Sequence, residues 1–294
     1  NIEIPRHVSI LPSEWPARGG YLGPSLDAFK IGDPKEPIPN LRAAVDEDRL
    51  QQRVGPLLDV LEREFQRGRL AQLDQSRTLH RTATERAMKM MSSDQLAAFD
   101  VQQEGTETLQ RFGDSGFGRG CLAAIRLLAA GVRCVEVELS GWDSHVNNHE
   151  LQAGRAAHLD RALAATLQEL AARDLLEDTV VFCGGEFGRT PQINPAGGRD
   201  HWPHGFSSLL AGGNFRRGYV HGETAAEPDL EHLMQDKGKP LDPASITSQA
   251  ITVPDLHATL LHGLGIEPSA ERLTPIGRPL RWSDGDVVDE LLNG

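Results

Sequence analysis

The chain has 294 residues, 39% of them hydrophobic, which is enough to bury a sizeable core as one large domain or as a domain with an appendage. With 30 basic against 42 acidic side chains, a net charge of −12 and no Lys/Arg-rich run, it is a poor binder of nucleic-acid backbones, whose affinity rests on phosphate neutralisation. No stretch approaches the roughly 18 consecutive apolar residues of a membrane span.

Residues 1–45 hold many of the 18 prolines, among them Pro5, Pro12, Pro16, Pro24, Pro34, Pro37 and Pro39. Proline fixes φ and removes a backbone donor, so this stretch reads as an extended arm with a GGYLGP turn, not as a core strand. Residues 46–112 read as a helical segment. Leu50, Val54, Leu57, Leu58, Leu61 and Phe65 recur at three and four, one apolar stripe of a helix that Gly68 would end. A second helix is predicted over 70–91 and a third, capped by Ser93, through Phe99.

The pattern changes in 113–294. GFGRGCLAAIRLLAAG is a helix ending at Gly131, VRCVEVEL a strand and LQAGRAAHLDRALAATLQELAAR an amphipathic helix. TVVFCGG and FSSLLAGG are strands, and VPDLHATLLHGLGI is a helix. Helices alternating with apolar β-branched runs indicate an α/β domain with a mostly parallel sheet. The three cysteines, Cys121, Cys134 and Cys183, lie singly in apolar runs and read as small buried hydrophobes.

In such sheets ligands collect beyond the carboxyl ends of strands. Six of the 11 histidines fall between residues 145 and 221, and two segments there, GWDSHVNNH and GEFGRTPQINPAGGRDHWPHG, follow strands. In Gly141-Trp142-Asp143-Ser144-His145, Asp143 and His145 are two apart and share one side of an extended chain. A carboxylate beside imidazoles suits zinc, manganese or iron better than calcium, which takes oxygen alone. The alternative makes Asp143 a helix cap and the histidines ordinary surface groups. Glu186 sits among Gly184, Gly185 and Gly188, with Arg189 three residues on. The pair suits a metal carboxylate and a guanidinium fork for an anionic ester; an internal Glu186–Arg189 ion pair is the alternative. Asp200-His201-Trp202-Pro203-His204 gathers a carboxylate and two imidazoles just before a strand, which points to ligand or substrate contact. No P-loop or GxSxG elbow is present. A Ser-His-Asp hydrolase would have to draw on Ser140 or Ser144, and no dinucleotide fingerprint supports a redox role.

The run VVFCGGEFGRTPQINPAGGRDHWPHGFSSLLAGG, with GWDSHVNNH before it and DLHATLLHGLGIEP after it, resembles an uncharacterised bacterial sulfatase-like family of unknown function placed in the alkaline phosphatase superfamily. The resemblance extends to GGYLGPSLDAF and FGRGCLAAIRLLAAGVRCVEVEL, nearly the whole chain. It implies one domain with a three-layer α/β/α sandwich, and hydrolysis of phosphate or sulfate esters. The substrate would be a small anionic ester or a sulfated or phosphorylated glycan. It further implies divalent metal, with Asp143, His145, Glu186 and His201 at ligand positions. The residues themselves add Asp200 to that set, favour zinc or manganese over calcium or magnesium, and give Arg189 and His204 the catalytic role of stabilising developing charge. Glu186 stands where the superfamily usually has Asp-His, and the Asp143–His145 spacing is closer than its usual one. Such proteins often carry a twin-arginine leader, which implies an extracytoplasmic site, although the chain opens on Asn1 with no leader in view. The superfamily's nucleophile lies on a first apolar strand that 1–40 does not show. The chain is therefore expected to be truncated at its N-terminus, with an incomplete site. A non-catalytic binding or surface protein is the competing reading.

Overall fold

The computed structural model describes residues 2–14, 18–20, 26–41, 43–67, 79–225, 247–274 and 277–293. The chain forms two compact units, Asn1–Ser140 with His158–Thr166, and Gly141–Ala157 with Leu167–Gly294.

The first unit contains β1 (His7–Ile10), β2 (Phe29–Ile31), α1 (Glu47–Arg67), α2 (Leu79–Met91), α3 (Thr106–Phe112), α4 (Gly116–Ala129) and β3 (Cys134–Val137). Its sheet runs β2-β1-β3, with both pairings parallel. The central strand is thus β1, drawn from the stretch read as a proline-rich arm. That expectation is corrected: Val8, Ser9 and Ile10 are all 0% exposed. The prolines lie outside the ladder, Pro5 before it and Pro12 after it, so they cost no sheet hydrogen bond. A four-residue strand leaves too little alternation for periodicity to reveal. Ser9 is polar at the centre of a sheet, and its Oγ donates to Glu136 Oε2 on β3 at 2.7 Å, which meets the requirement that buried polar atoms be bonded.

Helix α4 begins where Ser115 Oγ accepts from Gly118 N at 3.0 Å, an N-cap. It buries Phe117, Cys121, Leu122, Ile125 and Leu127. Glycine at position 120 lets the helix approach the sheet, since a Cβ there would stand 2.7 Å from Val137 Cγ1. Just beyond β2, Asp33 receives a fork from Arg119, Nε to Oδ1 at 2.7 Å and Nη2 to Oδ2 at 2.6 Å. That hydrogen bonding holds the Asp33 carboxyl below its ordinary range.

The helical segment is present with shifted detail. The α1 stripe is divided: Leu58 is buried, whereas Leu57 is 59% exposed and Leu61 is exposed too. Helix α2 starts at Leu79; the predicted start at 70 and the stop at Gly68 lie outside the described residues. Ser93 caps a 3₁₀ turn, Asp94–Phe99, as its side chain accepts from Gln95 N.

The second unit holds most of α5 (Asn148–Ala172), then β4 (Val181–Cys183), β5 (Gly188–Arg189), β6 (His201–Trp202), β7 (Leu209–Ala211), β8 (Glu223–Thr224), β9 (Thr247–Ser248), α6 (Val253–Gly263), β10 (Glu271–Leu273) and β11 (Pro279–Arg281). Here the strands pair antiparallel in twos: β4 with β7, β5 with β6, β8 with β9 and β10 with β11. Parallel pairing needs a crossover, usually a helix. Between Cys183 and Leu209 there is none, so β7 returns antiparallel beside β4. The α/β class and a small, mostly parallel sheet stand. The described residues do not form the full three-layer sandwich. Helix α6 starts on a capping box, Thr252 Oγ1 accepting from Asp255 N and the Asp255 carboxylate accepting from Thr252 N. Among the described residues no helix is long and apolar enough to cross a membrane.

Candidate metal centre

Two loops of the second unit build the site: Gly141–Asn147 ahead of α5, and the segment 184–205 around the β5–β6 hairpin. Gly141 opens the first with φ +94°, a left-handed turn that glycine takes without strain. Backbone contacts lace the loops together. Asn148 N donates to Gly197 O at 2.8 Å, Asn147 N to Ala196 O at 3.3 Å and Arg199 N to Ser144 O at 3.2 Å. Asn194 organises the returning turn: its Oδ1 accepts from Ala196 N and Gly198 N, and its Nδ2 donates to His145 O at 3.0 Å. The approach at Gly198 is so close that a Cβ would lie 1.9 Å from the carbonyl carbon and oxygen of His145. Gly188 is under the same constraint, with a Cβ falling 2.0 Å from Gly205 O.

The hairpin register sets Arg189 opposite His201, and the lacing brings Asp143 and His145 to them. One atom then becomes the focus. Asp143 Oδ1 lies 2.7 Å from Arg189 Nη2, 2.9 Å from His201 Nε2 and 3.2 Å from His145 Nδ1. The two imidazoles lean on each other, centroids 4.9 Å apart, and Phe187 packs on the His201 ring at 4.5 Å. The hydrogen bond from His201, then that from Arg189, holds the Asp143 carboxyl below its ordinary range. The cluster is open to solvent: the Asp143 side chain is 64% exposed, while Arg189, at 18%, is the sheltered member. Arg189 Nη1 is closed off from solvent and has no hydrogen-bond partner among the described residues.

The ligand atoms of Asp143, His145 and His201 lie within 4.8 Å of one another. Bonds of about 2.0–2.1 Å at tetrahedral angles set neighbouring ligand atoms about 3.3 Å apart. The separations of 2.9 and 3.2 Å from Asp143 Oδ1 to the two imidazole nitrogens are near that edge length. This donor set, two nitrogens and one carboxylate oxygen with room for a further ligand, has the composition of an open zinc-type site.

The remaining predicted residues are not in the cluster. Glu186 is exposed and outside it, and Arg189 pairs with Asp143. Asp200 is not among the three clustered donors, and its Oδ1 accepts from Asn194 Nδ2 at 3.2 Å. His204 stands edge-on to the buried ring of Trp202 at 5.7 Å, outside the cluster. Ser144 is buried, its Oγ donating to Asn148 Oδ1 at 2.9 Å and accepting from Gln152 Nε2 at 2.7 Å, so it serves the loop and offers no nucleophile. Phe187, Asn194 and Gly198 were missed in the sequence. The Asn-Pro-Ala-Gly-Gly string does signal a turn around Asn194, but nothing local says which loop that turn would meet.

No curated protein and no solved structure matches the chain. A family described as "Protein of unknown function (DUF1501)" matches residues 1–292. That match names neither sulfatases nor alkaline phosphatases, and nothing else links the chain to them, so the resemblance drawn from the motifs is corrected to this family alone. The chain belongs to the DUF1501 family of proteins of unknown function.

Proposed function

We propose that the chain is a metal-dependent hydrolase of phosphate or sulfate esters, with Asp143, His145 and His201 holding a divalent cation. The observation that carries this reading is the convergence of three metal-type donors from loops that are far apart in sequence. Two imidazoles and a single carboxylate favour zinc or manganese over magnesium or calcium, which prefer oxygen ligands. A cation so held would supply Lewis-acid polarisation of an ester oxygen. Arg189, beside the cluster, would bind an anionic oxygen through its planar fork. The substrate class is a small anionic ester or a sulfated or phosphorylated glycan.

The openness of the cluster favours a second reading, a cation- and anion-binding protein without turnover. One experiment separates the two. The purified protein is assayed for bound metal, and then for hydrolysis of p-nitrophenyl phosphate and p-nitrophenyl sulfate, with chelator and after return of zinc or manganese. Metal-dependent turnover lost in Asp143→Ala and His201→Ala supports the hydrolase. Binding without turnover supports the second reading. Absence of bound metal, with turnover indifferent to both substitutions, overturns the metal centre.

A further inference from the structure

We propose that Arg189 is a latch on Asp143 that makes cation binding and oxyanion binding at this site depend on each other. The inference rests on the metal reading given above and adds its regulation. Its basis is that Arg189 Nη2, His201 Nε2 and His145 Nδ1 all address the same atom, Asp143 Oδ1, at 2.7, 2.9 and 3.2 Å. A cation drawn to the two imidazoles needs that oxygen, and a guanidinium already holds it. Arginine keeps its charge at any working pH, so the two cations compete for one carboxylate oxygen.

The guanidinium is also poorly satisfied where it stands. An Arg–carboxylate pair commonly uses two parallel N–H bonds. Arg189 spends one on Asp143, while Nη1 is buried with no acceptor among the described residues, an arrangement that leaves a desolvated donor unsatisfied. The Phe187 ring lies 5.7 Å from Arg189 Cζ, within the range at which an aromatic face supports a cation. The guanidinium therefore has support that does not depend on Asp143. A cation seated on Asp143, His145 and His201 cancels the carboxylate's hold on Arg189 and repels it. The freed fork then takes two oxygens of a tetrahedral oxyanion. In the other direction, an oxyanion on Arg189 leaves Asp143 Oδ1 to the metal. By reciprocity each ligand tightens the other by the same factor. Without the anion, the latch keeps cation affinity low.

The test measures Mn²⁺ binding by the electron paramagnetic resonance signal of the free ion, in chloride and in sulfate at equal ionic strength. In the wild-type chain sulfate is expected to tighten Mn²⁺ by about tenfold, within the usual range of coupling between sites. Arg189→Met removes the competitor, so in chloride it is expected to bind Mn²⁺ more tightly than wild type, and sulfate should then change nothing. Arg189→Lys, which keeps the charge and loses the fork, guards against misfolding of the neutral variant. It should bind near the wild-type level in chloride and respond weakly to sulfate. The latch is overturned by wild-type affinity that is equal in both salts, or by Arg189→Met binding more weakly in chloride. It is also overturned if Arg189→Met retains the full sulfate effect, which would place the anion on the metal itself. Failure of wild type and both variants to bind Mn²⁺ by this signal, and Zn²⁺ by equilibrium dialysis, in either salt defeats the metal reading, and the latch with it.

Discussion

The parallel sheet of the first unit and the laced loops of the second are held together by different physics. Around β1 and α4 the governing quantity is apolar burial: Val8, Ile10, Leu122, Ile125 and Leu127 are all 0% exposed. Around Asp143 the side chains are open to water, and their positions come from backbone hydrogen bonds between loops and from a glycine no other residue can replace without collision. The contrast teaches that stability and site geometry are separable here. A substitution can damage one and spare the other, and that sets the scale of the expected effects.

The largest effect belongs to the core. Leu122→Ala should cost about 2–5 kcal/mol, the usual loss for a truncated buried leucine left with a cavity. Urea denaturation measures it. A loss under about 1 kcal/mol, outside that range, would mean that α4 is not the packed centre the burial indicates.

Gly198→Ala should be smaller in stability and larger in function. Its Cβ would meet the carbonyl group of His145 at 1.9 Å, backbone that cannot swing aside. The loops must part, which moves Asp143 and His145 away from His201. Strain of this kind costs about 1–3 kcal/mol, and Mn²⁺ affinity should fall by tenfold or more, since a metal bond tolerates little displacement. Unchanged affinity with unchanged stability would break the comparison, because the site would then not depend on the lacing.

Much of the candidate site was legible in the sequence, and the reason is chemical. Histidine and aspartate clustered after strands are conspicuous, and Asp143, His145, His201 and Arg189 do meet. What the sequence could not reveal was direction. Asp200 and His201 are neighbours in one motif, yet only His201 joins the cluster, while Asp200 accepts from Asn194. Glu186 and Arg189 look like partners three apart, yet the β5–β6 register turns Arg189 toward Asp143. The fold was less legible at its centre. β1 is four residues long between two prolines, too short for a period-2 signal and masked by flanking residues that discourage strands. The antiparallel return of β7 depends on the absence of a crossover helix, which the apolar runs alone do not show. The motif resemblance named a superfamily that the comparisons do not support; the residues carrying it remain, and only their local chemistry speaks.

Two of the depressed aspartates, Asp33 in the first unit and Asp143 in the second, give the finest form of the contrast. Asp33 is forked by Arg119, with side chains 21% and 13% exposed; Asp143 is held by His201 and Arg189 in the open. Each has a folded pKa below the 3.8 of an ordinary aspartate. A depressed folded value means a stabilising contribution that is complete above the unfolded pKa and is lost as pH falls through the folded one. Both contributions should therefore be intact at neutral pH and disappear below about pH 4, where the unfolded chain takes up its protons. They differ in size. Breaking a sheltered pair leaves a charge poorly solvated, so Asp33→Asn should cost about 2 kcal/mol at pH 7 and flatten the acid limb of the stability curve. Asp143→Asn should leave that curve almost unmoved, because water replaces what an exposed pair loses. The Asp143 interaction shows instead in carboxyl-carbon NMR of the wild-type chain, where the Asp143 titration should sit below the usual range and move up in His201→Ala. An Asp143→Asn variant that lost as much stability as Asp33→Asn would show that the open cluster supports the fold as well as gathering ligands, and the separation drawn between the two regions would fail.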